Sequence, residues 1–112
     1  MSNKHGSKWI RPAKRLAIYA RDGFACVFCG EEERLTLDHV LPREMGGTHK
    51  ETNLVTACLS CNSAKRALTM RAWFAMLRDR GIETEGLAKK IKTHTAKPLN
   101  IALGKKLLKA RK

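Results

Sequence analysis

The 112-residue sequence contains no run of about 18 apolar residues, so we expect no transmembrane helix. Aromatic residues are scarce, with three Phe, two Trp and one Tyr that fall mostly in apolar patterns. This scarcity argues against a surface on which single-stranded bases stack. The first eight residues are polar and basic and lack the apolar core of a secretory signal, so a cytoplasmic location is expected.

Acidic residues are also in short supply. The chain has 10 Asp and Glu against 23 Lys and Arg, which gives a net charge of +13. This excess favours a polyanionic partner, with nucleic acid as the leading candidate and an anionic membrane surface as the second. A soluble basic protein without any such partner is the plainer alternative.

The chain is long enough for one domain and short enough to benefit from a metal staple. The predicted elements are a helix from Pro12 to Asp22, strands over 35–41 and 54–57, helices over 61–68 and 69–80, and a last helix from Pro98. Residues 82–98 show only a weak pattern. We expect a flexible basic arm over 1–11, a core domain over 12–80 and a basic helical extension over 81–112.

Two helices carry further local information. In the helix over 69–80, Trp73, Phe74 and Leu77 recur at the spacing of a buried helix face, which favours core packing over contact with bases. Ser60 is a candidate N-cap for the helix that is predicted to begin at Cys61.

Two Cys-x-x-Cys pairs, Cys26 with Cys29 and Cys58 with Cys61, form the most specific motif of the chain. Two intervening residues let both sulfurs of a pair face one ion, and two pairs complete a tetrahedral Cys₄ zinc site. Because cytosolic thiols stay reduced, metal binding is favoured over disulfides, while free buried cysteines or a redox pair are the alternatives. Four thiolates leave no open coordination position, so we expect this zinc to be structural.

Other chemically capable residues lie between and beside the cysteine pairs. They are Asp38-His39, Pro42, Gly46-Gly47, Asn53-Leu54, and Asn62 with Lys65. In this order they resemble the HNH nuclease family, whose pattern is Asp-His, Pro, Gly-Gly, Asn-Leu, then Cys-x-x-Cys followed by Asn or His and a Lys. The preceding RDGFACVFCG segment is similar to the zinc-binding subgroup, and the resemblance covers about residues 12–66.

The resemblance implies an α+β fold with a ββα-metal (His-Me finger) core, the structural Cys₄ zinc site and flanking helices. It also implies Mg²⁺-dependent hydrolysis of DNA, with Mn²⁺ or Ni²⁺ as alternatives, that leaves 5′-phosphate and 3′-hydroxyl ends. His39 would be the general base, Asp38 and Asn62 the magnesium ligands, and Asn53 the brace that helps to orient His39. Small members of the family resemble nucleases of phages and mobile elements, so a phage origin is a further expectation.

These implied roles agree with what phosphodiester hydrolysis requires. A histidine with a pKa near neutral can accept a proton from water, and Mg²⁺ can stabilise the phosphate and the departing oxygen. One geometric condition applies, because Asp38 and His39 are adjacent and neighbouring strand residues face opposite sides. Both reach one site only if the strand ends or distorts there, which the nearby Pro42 favours.

Several basic residues are predicted to contact the phosphates of DNA. They are Arg43, Lys65 and Arg66, of which the last two share a helix face with Asn62. Since phosphate contacts carry no sequence information and no base-reading element is recognisable, we expect weakly specific and strongly salt-dependent binding. The remaining histidines, His5, His49 and His94, are expected to be solvated; for His49 the alternative is an approach to the active-site loop.

Two other functions are compatible with parts of this pattern. A non-catalytic, zinc-dependent DNA-binding module would have the same charge and cysteines, but it would have no use for Asp38, His39 and Asn62 together. An adaptor subunit of a larger DNA-processing machine would dock through the C-terminal helix, and this protein partner is compatible with catalysis.

Overall fold

A computed structural model describes residues 10–110, in which five helices surround a two-stranded antiparallel sheet. The elements are α1 Pro12–Arg21, β1 Leu35–His39, β2 Leu54–Cys58, α2 Leu59–Lys65, α3 Met70–Asp79, α4 Leu87–Ala96 and α5 Ile101–Ala110. The predicted mixed architecture of a small antiparallel sheet and helices is confirmed at this level. Most of the predicted basic arm, residues 1–9, lies outside the described residues, as does His5. Within the described residues, no helix is long and apolar enough to cross a membrane.

The two strands are joined by a long loop that contains two single-turn 3₁₀ helices, Arg43–Met45 and Glu51–Asn53. Leu35 pairs with Cys58 and His39 pairs with Leu54. β1 ends at His39 rather than at Leu41, because the Asn53 side chain binds both backbone groups of Leu41. The Leu41 N–H donates to Asn53 Oδ1 at 2.8 Å, and Asn53 Nδ2 donates to the Leu41 carbonyl at 3.1 Å.

Helix α2 differs from its predicted bounds at both ends. It begins at Leu59, and Cys58 rather than Ser60 occupies the N-cap, where its Sγ accepts a hydrogen bond from the Cys61 N–H at 3.4 Å. It ends at Lys65 because Arg66 has a φ of 50°, which lies outside the conformation of a right-handed α-helix. The prediction for α3 is confirmed, with Thr69 as N-cap.

The C-terminal region contains two helices where the sequence predicted one. α4 was missed because Leu87 and Ile91 are its only buried residues, too few for a clear helical period. α5 begins at Ile101 rather than at Pro98, and Asn100 Oδ1 accepts from the Leu103 N–H at 2.9 Å. It packs against α1 at Gly104, where a Cβ would lie 2.1 Å from the Ala13 carbonyl oxygen.

β2 is buried along its whole length because core side chains pack on both of its faces. Val55 belongs to the larger apolar cluster, which also contains Trp73 and Leu77 as predicted. Leu54 belongs to the second cluster, with Ile18 of α1. The sheet is therefore held between α1 on one side and the cysteine pairs, α3 and α4 on the other.

A buried polar network fixes the ends of α1 and α4 against β2. Asp22 Oδ2 accepts from the Thr56 N–H at 2.8 Å, and Arg21 donates to Asp22 Oδ1 at 2.8 Å and to the Leu54 carbonyl at 2.6 Å. His94 lies in this network rather than in solvent, with Nδ1 at 3.5 Å from Asp22 Oδ1. Burial lowers the pKa of His94, and the Asp22 carboxylate opposes that change.

Candidate active site and metal centre

The four cysteines converge on one point, as the two Cys-x-x-Cys pairs predict. Their Sγ atoms all lie within 4.8 Å of one another, and those of Cys29 and Cys58 are 3.7 Å apart. A tetrahedral zinc with Zn–S bonds of about 2.3 Å would hold its sulfurs about 3.8 Å apart. The cluster could therefore hold zinc, and among residues 10–110 it is the one group of three or more Cys, His, Asp or Glu arranged for a metal.

Local backbone geometry prepares the cysteines for metal binding. Cys26 Sγ accepts from the Phe28 N–H, and Cys58 Sγ accepts from the Cys61 N–H, both at 3.4 Å. The neighbouring Cys61 lowers the pKa of the Cys26 thiol to about 4, while the proximity of Cys26 and burial raise the pKa of Cys61. Because metal binding requires thiolates, a bound cation would favour the deprotonated form of both.

A separate open pocket of about 530 Å³ lies where β1, the following loop and α2 meet. Its lining residues are Leu37, Asp38, His39, Pro42, Arg43, Glu44, Asn62, Arg66 and Ala67. Because β1 ends at His39, the two adjacent residues Asp38 and His39 both face this pocket. The cysteines do not line it, so the cluster that could bind zinc is separate from the predicted catalytic residues.

Asp38 is a buried carboxylate that has a buried cation as its partner. Its side chain is 4 % exposed, and that of Lys65 is fully buried. Lys65 Nζ donates to Asp38 Oδ1 at 3.3 Å and lies 3.1 Å from Oδ2, at an angle that makes an ion pair without a hydrogen bond. Burial raises the pKa of Asp38 to about 6, and the ammonium of Lys65 limits that rise.

His39 contacts another histidine that the sequence reasoning expected in solvent. Its Nε2 lies 3.0 Å from His49 Nδ1, with ring centroids 5.1 Å apart and planes inclined by 42°. The alternative considered for His49, an approach to the active-site loop, is therefore the arrangement in the structure. A sequence signal existed, because the Gly46-Gly47 turn lies between His39 and His49 and can return the chain to the end of β1.

Asn53 holds the loop that carries the pocket wall. Besides its two bonds to Leu41, its Nδ2 donates to the Thr48 carbonyl at 3.0 Å. Gly47 fits between these groups, since a Cβ there would lie 1.7 Å from the Leu41 carbonyl oxygen. Asn53 therefore ties this loop to the residues that follow β1, and its role in orienting His39 stays a prediction.

The basic residues expected to bind phosphate lie in different surroundings. Arg43 and Arg66 are exposed and line the pocket, as does the half-buried Asn62. Lys65, in contrast, is buried and also donates to the His39 carbonyl at 3.1 Å. A phosphate could reach Lys65 only after its pairing with Asp38 had opened.

Residues 26–74 match the HNH endonuclease family. The resemblance inferred from the motifs is thereby confirmed for this segment, which runs from Cys26 to Phe74 in the first half of α3 and spans just under half of the chain. No curated protein and no solved structure matches the chain. The HNH segment indicates a nuclease or DNA-binding function and metal binding, and it includes both the cysteine cluster and the pocket.

Proposed function

We propose that this protein is a metal-dependent endonuclease with a ββα-metal core formed by β1, β2 and α2, and that it hydrolyses DNA at the open pocket. One observation carries the proposal. A single pocket, inside the segment that matches the HNH endonuclease family, is lined by Asp38, His39 and Asn62 together with two arginines. These are a base, two oxygen ligands and two anion-binding groups in one place.

The side chains of the pocket have complementary tasks in this proposal. His39 accepts a proton from the attacking water. Arg43 and Arg66 bind the phosphate oxygens by charge-assisted hydrogen bonds. Asn53 keeps the loop in place, and Lys65 fixes the Asp38 carboxylate and the carbonyl of His39 at the end of β1.

The donor set of the pocket fits Mg²⁺. Asp38 Oδ2 is buried and accepts no hydrogen bond from the residues described, and the amide of Asn62 lines the same pocket. Hard oxygen donors of this kind suit Mg²⁺, with Mn²⁺ or Ni²⁺ as alternatives, and leave positions for water and substrate. Mg²⁺ held there would supply charge neutralisation at the phosphate and at the leaving oxygen.

The substrate proposal follows from the charge of the chain. A net charge of +13 favours DNA through its phosphates, with weak sequence preference and strong salt dependence. One site per chain cuts one strand, so nicks with 5′-phosphate and 3′-hydroxyl ends are the proposed products. A phage or mobile-element origin is the accompanying hypothesis. The proposed nuclease domain covers residues 12–80. Helices α4 and α5 pack on it, α4 against β2 and α5 against α1.

The test is plasmid nicking by the full zinc-loaded chain, with and without added Mg²⁺, beside Asn62→Ala and the matched Asn62→Asp. We expect no nicking without the added metal. Asn62→Ala should need at least about tenfold more Mg²⁺, while Asn62→Asp keeps an oxygen ligand and stays closer to wild type. If the wild type shifts the plasmid in a gel but leaves it intact with Mg²⁺, Mn²⁺ and Ni²⁺, the chain is a zinc-dependent DNA-binding module or an adaptor, and not an enzyme.

A further inference from the structure

We infer that His49 is a positioning residue that holds the ring of His39 in the pocket, and that Arg43 couples this contact to phosphate. The inference rests on the proposed function, in which His39 is the base. Its starting point is the 3.0 Å contact between His39 Nε2 and His49 Nδ1, a distance typical of a hydrogen bond.

The loop delivers His49 to this contact through bonds that do not involve its ring. Its carbonyl oxygen accepts from Lys14 Nζ of α1 at 3.0 Å. On its N-terminal side, the Thr48 carbonyl is held by Asn53, and Gly47 packs against the Leu41 carbonyl. Because the backbone is anchored on both sides, the imidazole of His49 is presented to His39 in one orientation.

Arg43 contacts the same ring of His49. Its Nη1 lies against Nε2 and is 3.3 Å from Nδ1, so the guanidinium meets both ring nitrogens. His49 therefore contacts His39 and Arg43 at once.

The same Arg43 lines the pocket in which a phosphate would bind. A phosphate attracts the guanidinium more strongly than a neutral imidazole does, because the contact is between opposite charges. When Arg43 turns to the phosphate, His49 loses its contact with the guanidinium and keeps the one to Nε2 of His39. Phosphate binding thereby changes the surroundings of the proposed base.

Substitutions of His49 separate its two contacts. Asn presents its amide where Nδ1 lies, towards His39, whereas Gln presents its amide where Nε2 lies, towards Arg43. Ala keeps neither contact. His94→Asn is the matched control, because it alters a histidine whose partner is Asp22.

The first measurement is the ¹⁵N chemical shifts of the His39 ring in the zinc-loaded chain, without Mg²⁺ or DNA. We expect the His39 ring shifts to change in His49→Ala, which loses the contact to Nε2, and to stay unchanged in His94→Asn. Inorganic phosphate should move the wild-type shifts as well, because Arg43 then leaves His49. Identical His39 shifts in the wild type and His49→Ala would overturn the inference.

The second measurement is steady-state nicking. His49→Ala should lower kcat by about tenfold to a hundredfold with a smaller change in KM. The reason is that His39 is then misplaced for proton transfer, while it contributes little to the binding of DNA. His49→Asn should retain more activity than His49→Gln. Equal kcat in all three variants and the wild type would contradict the positioning role. If the wild type does not nick at all but the ring shifts respond as expected, the proposed function fails and the His49–His39 coupling stands.

Discussion

Lys65 is fully buried, and its Nζ lies 3.1 Å from Asp38 Oδ2 and 3.1 Å from the carbonyl oxygen of His39. Helix α2, which begins within the second cysteine pair, thus fixes the two adjacent residues on which the proposed chemistry depends. Burying an ammonium is costly without a partner, so Lys65 and Asp38 are expected to stabilise the fold only as a pair.

Breaking this pair should destabilise the protein strongly. Lys65→Met leaves the Asp38 carboxylate without its cation, and losing one partner of a buried pair costs about 3–5 kcal/mol. The double variant Lys65→Met/Asp38→Asn removes both charges and should recover a large part of that loss. Urea unfolding of the zinc-loaded variants measures both free energies.

An exposed lysine provides the control for the Lys65 and Asp38 variants. Lys89→Met on α4 alters a solvated side chain and should change the free energy of unfolding by less than about 0.5 kcal/mol. A Lys65→Met variant as stable as Lys89→Met would contradict the buried-pair account.

Removal of zinc should unfold the chain. The four cysteines join the Cys26–Cys29 turn to the junction of β2 and α2, and the larger apolar cluster is built around them. A strong zinc chelator, or Cys58→Ser, should abolish the cooperative thermal transition followed by circular dichroism, and added Zn²⁺ should restore it after chelation. A chelated protein that melts as the untreated one does would show that the cysteines do not hold a structural metal.

Gly47→Ala should lower the nicking activity strongly, while Gly46→Ala should not. In Gly47→Ala the Cβ would lie 1.7 Å from the Leu41 carbonyl oxygen, so the loop that holds His49 must move. Gly46 has open space around it, and its φ of 97° penalises alanine by only about 1 kcal/mol. We expect a nicking rate at least about tenfold lower for Gly47→Ala than for Gly46→Ala.

The stability of the fold should depend on pH through His94. Burial lowers its pKa below the ordinary histidine value of about 6.5, so the unfolded chain binds the proton more tightly than the folded one. The free energy of unfolding should therefore fall as the pH drops through about 6.5 and level off below the folded-state pKa. His94→Asn should flatten this dependence between pH 5.5 and 7.5 in zinc-containing buffer.

The difference between the wild type and His94→Asn is the quantity to compare, since the pH dependence of zinc binding is common to both. Parallel curves for the two proteins would show that His94 does not titrate differently on folding.

The parts of the site that are local in sequence were predictable. The Cys-x-x-Cys spacing predicts convergence of four sulfurs, and the adjacency of Asp38 and His39 requires the strand to end there, as it does. The cause of that end, two hydrogen bonds from Asn53 to Leu41, depends on a contact across twelve residues that no local pattern reveals.

The missed features are those that depend on which way an element faces. Helical spacing places Lys65 on the face of Asn62, but α2 turns Lys65 into the interior, where the buried Asp38 carboxylate binds it. His49 belongs to a loop without periodicity, so its contact with His39 became visible only with the fold. α4 covers the core with two apolar side chains, fewer than a hydrophobic period needs.

The central claim is that His39 acts chemically on DNA rather than binding it. The most direct test measures, on one labelled duplex, both the dissociation constant and the single-turnover cleavage rate of the wild type and His39→Ala with Mg²⁺ present. The account predicts dissociation constants within about threefold of each other and a cleavage rate lower by about 10²–10⁴ in the variant, because only the base is lost. Equal cleavage rates, or a loss of cleavage explained entirely by lost binding, would contradict it.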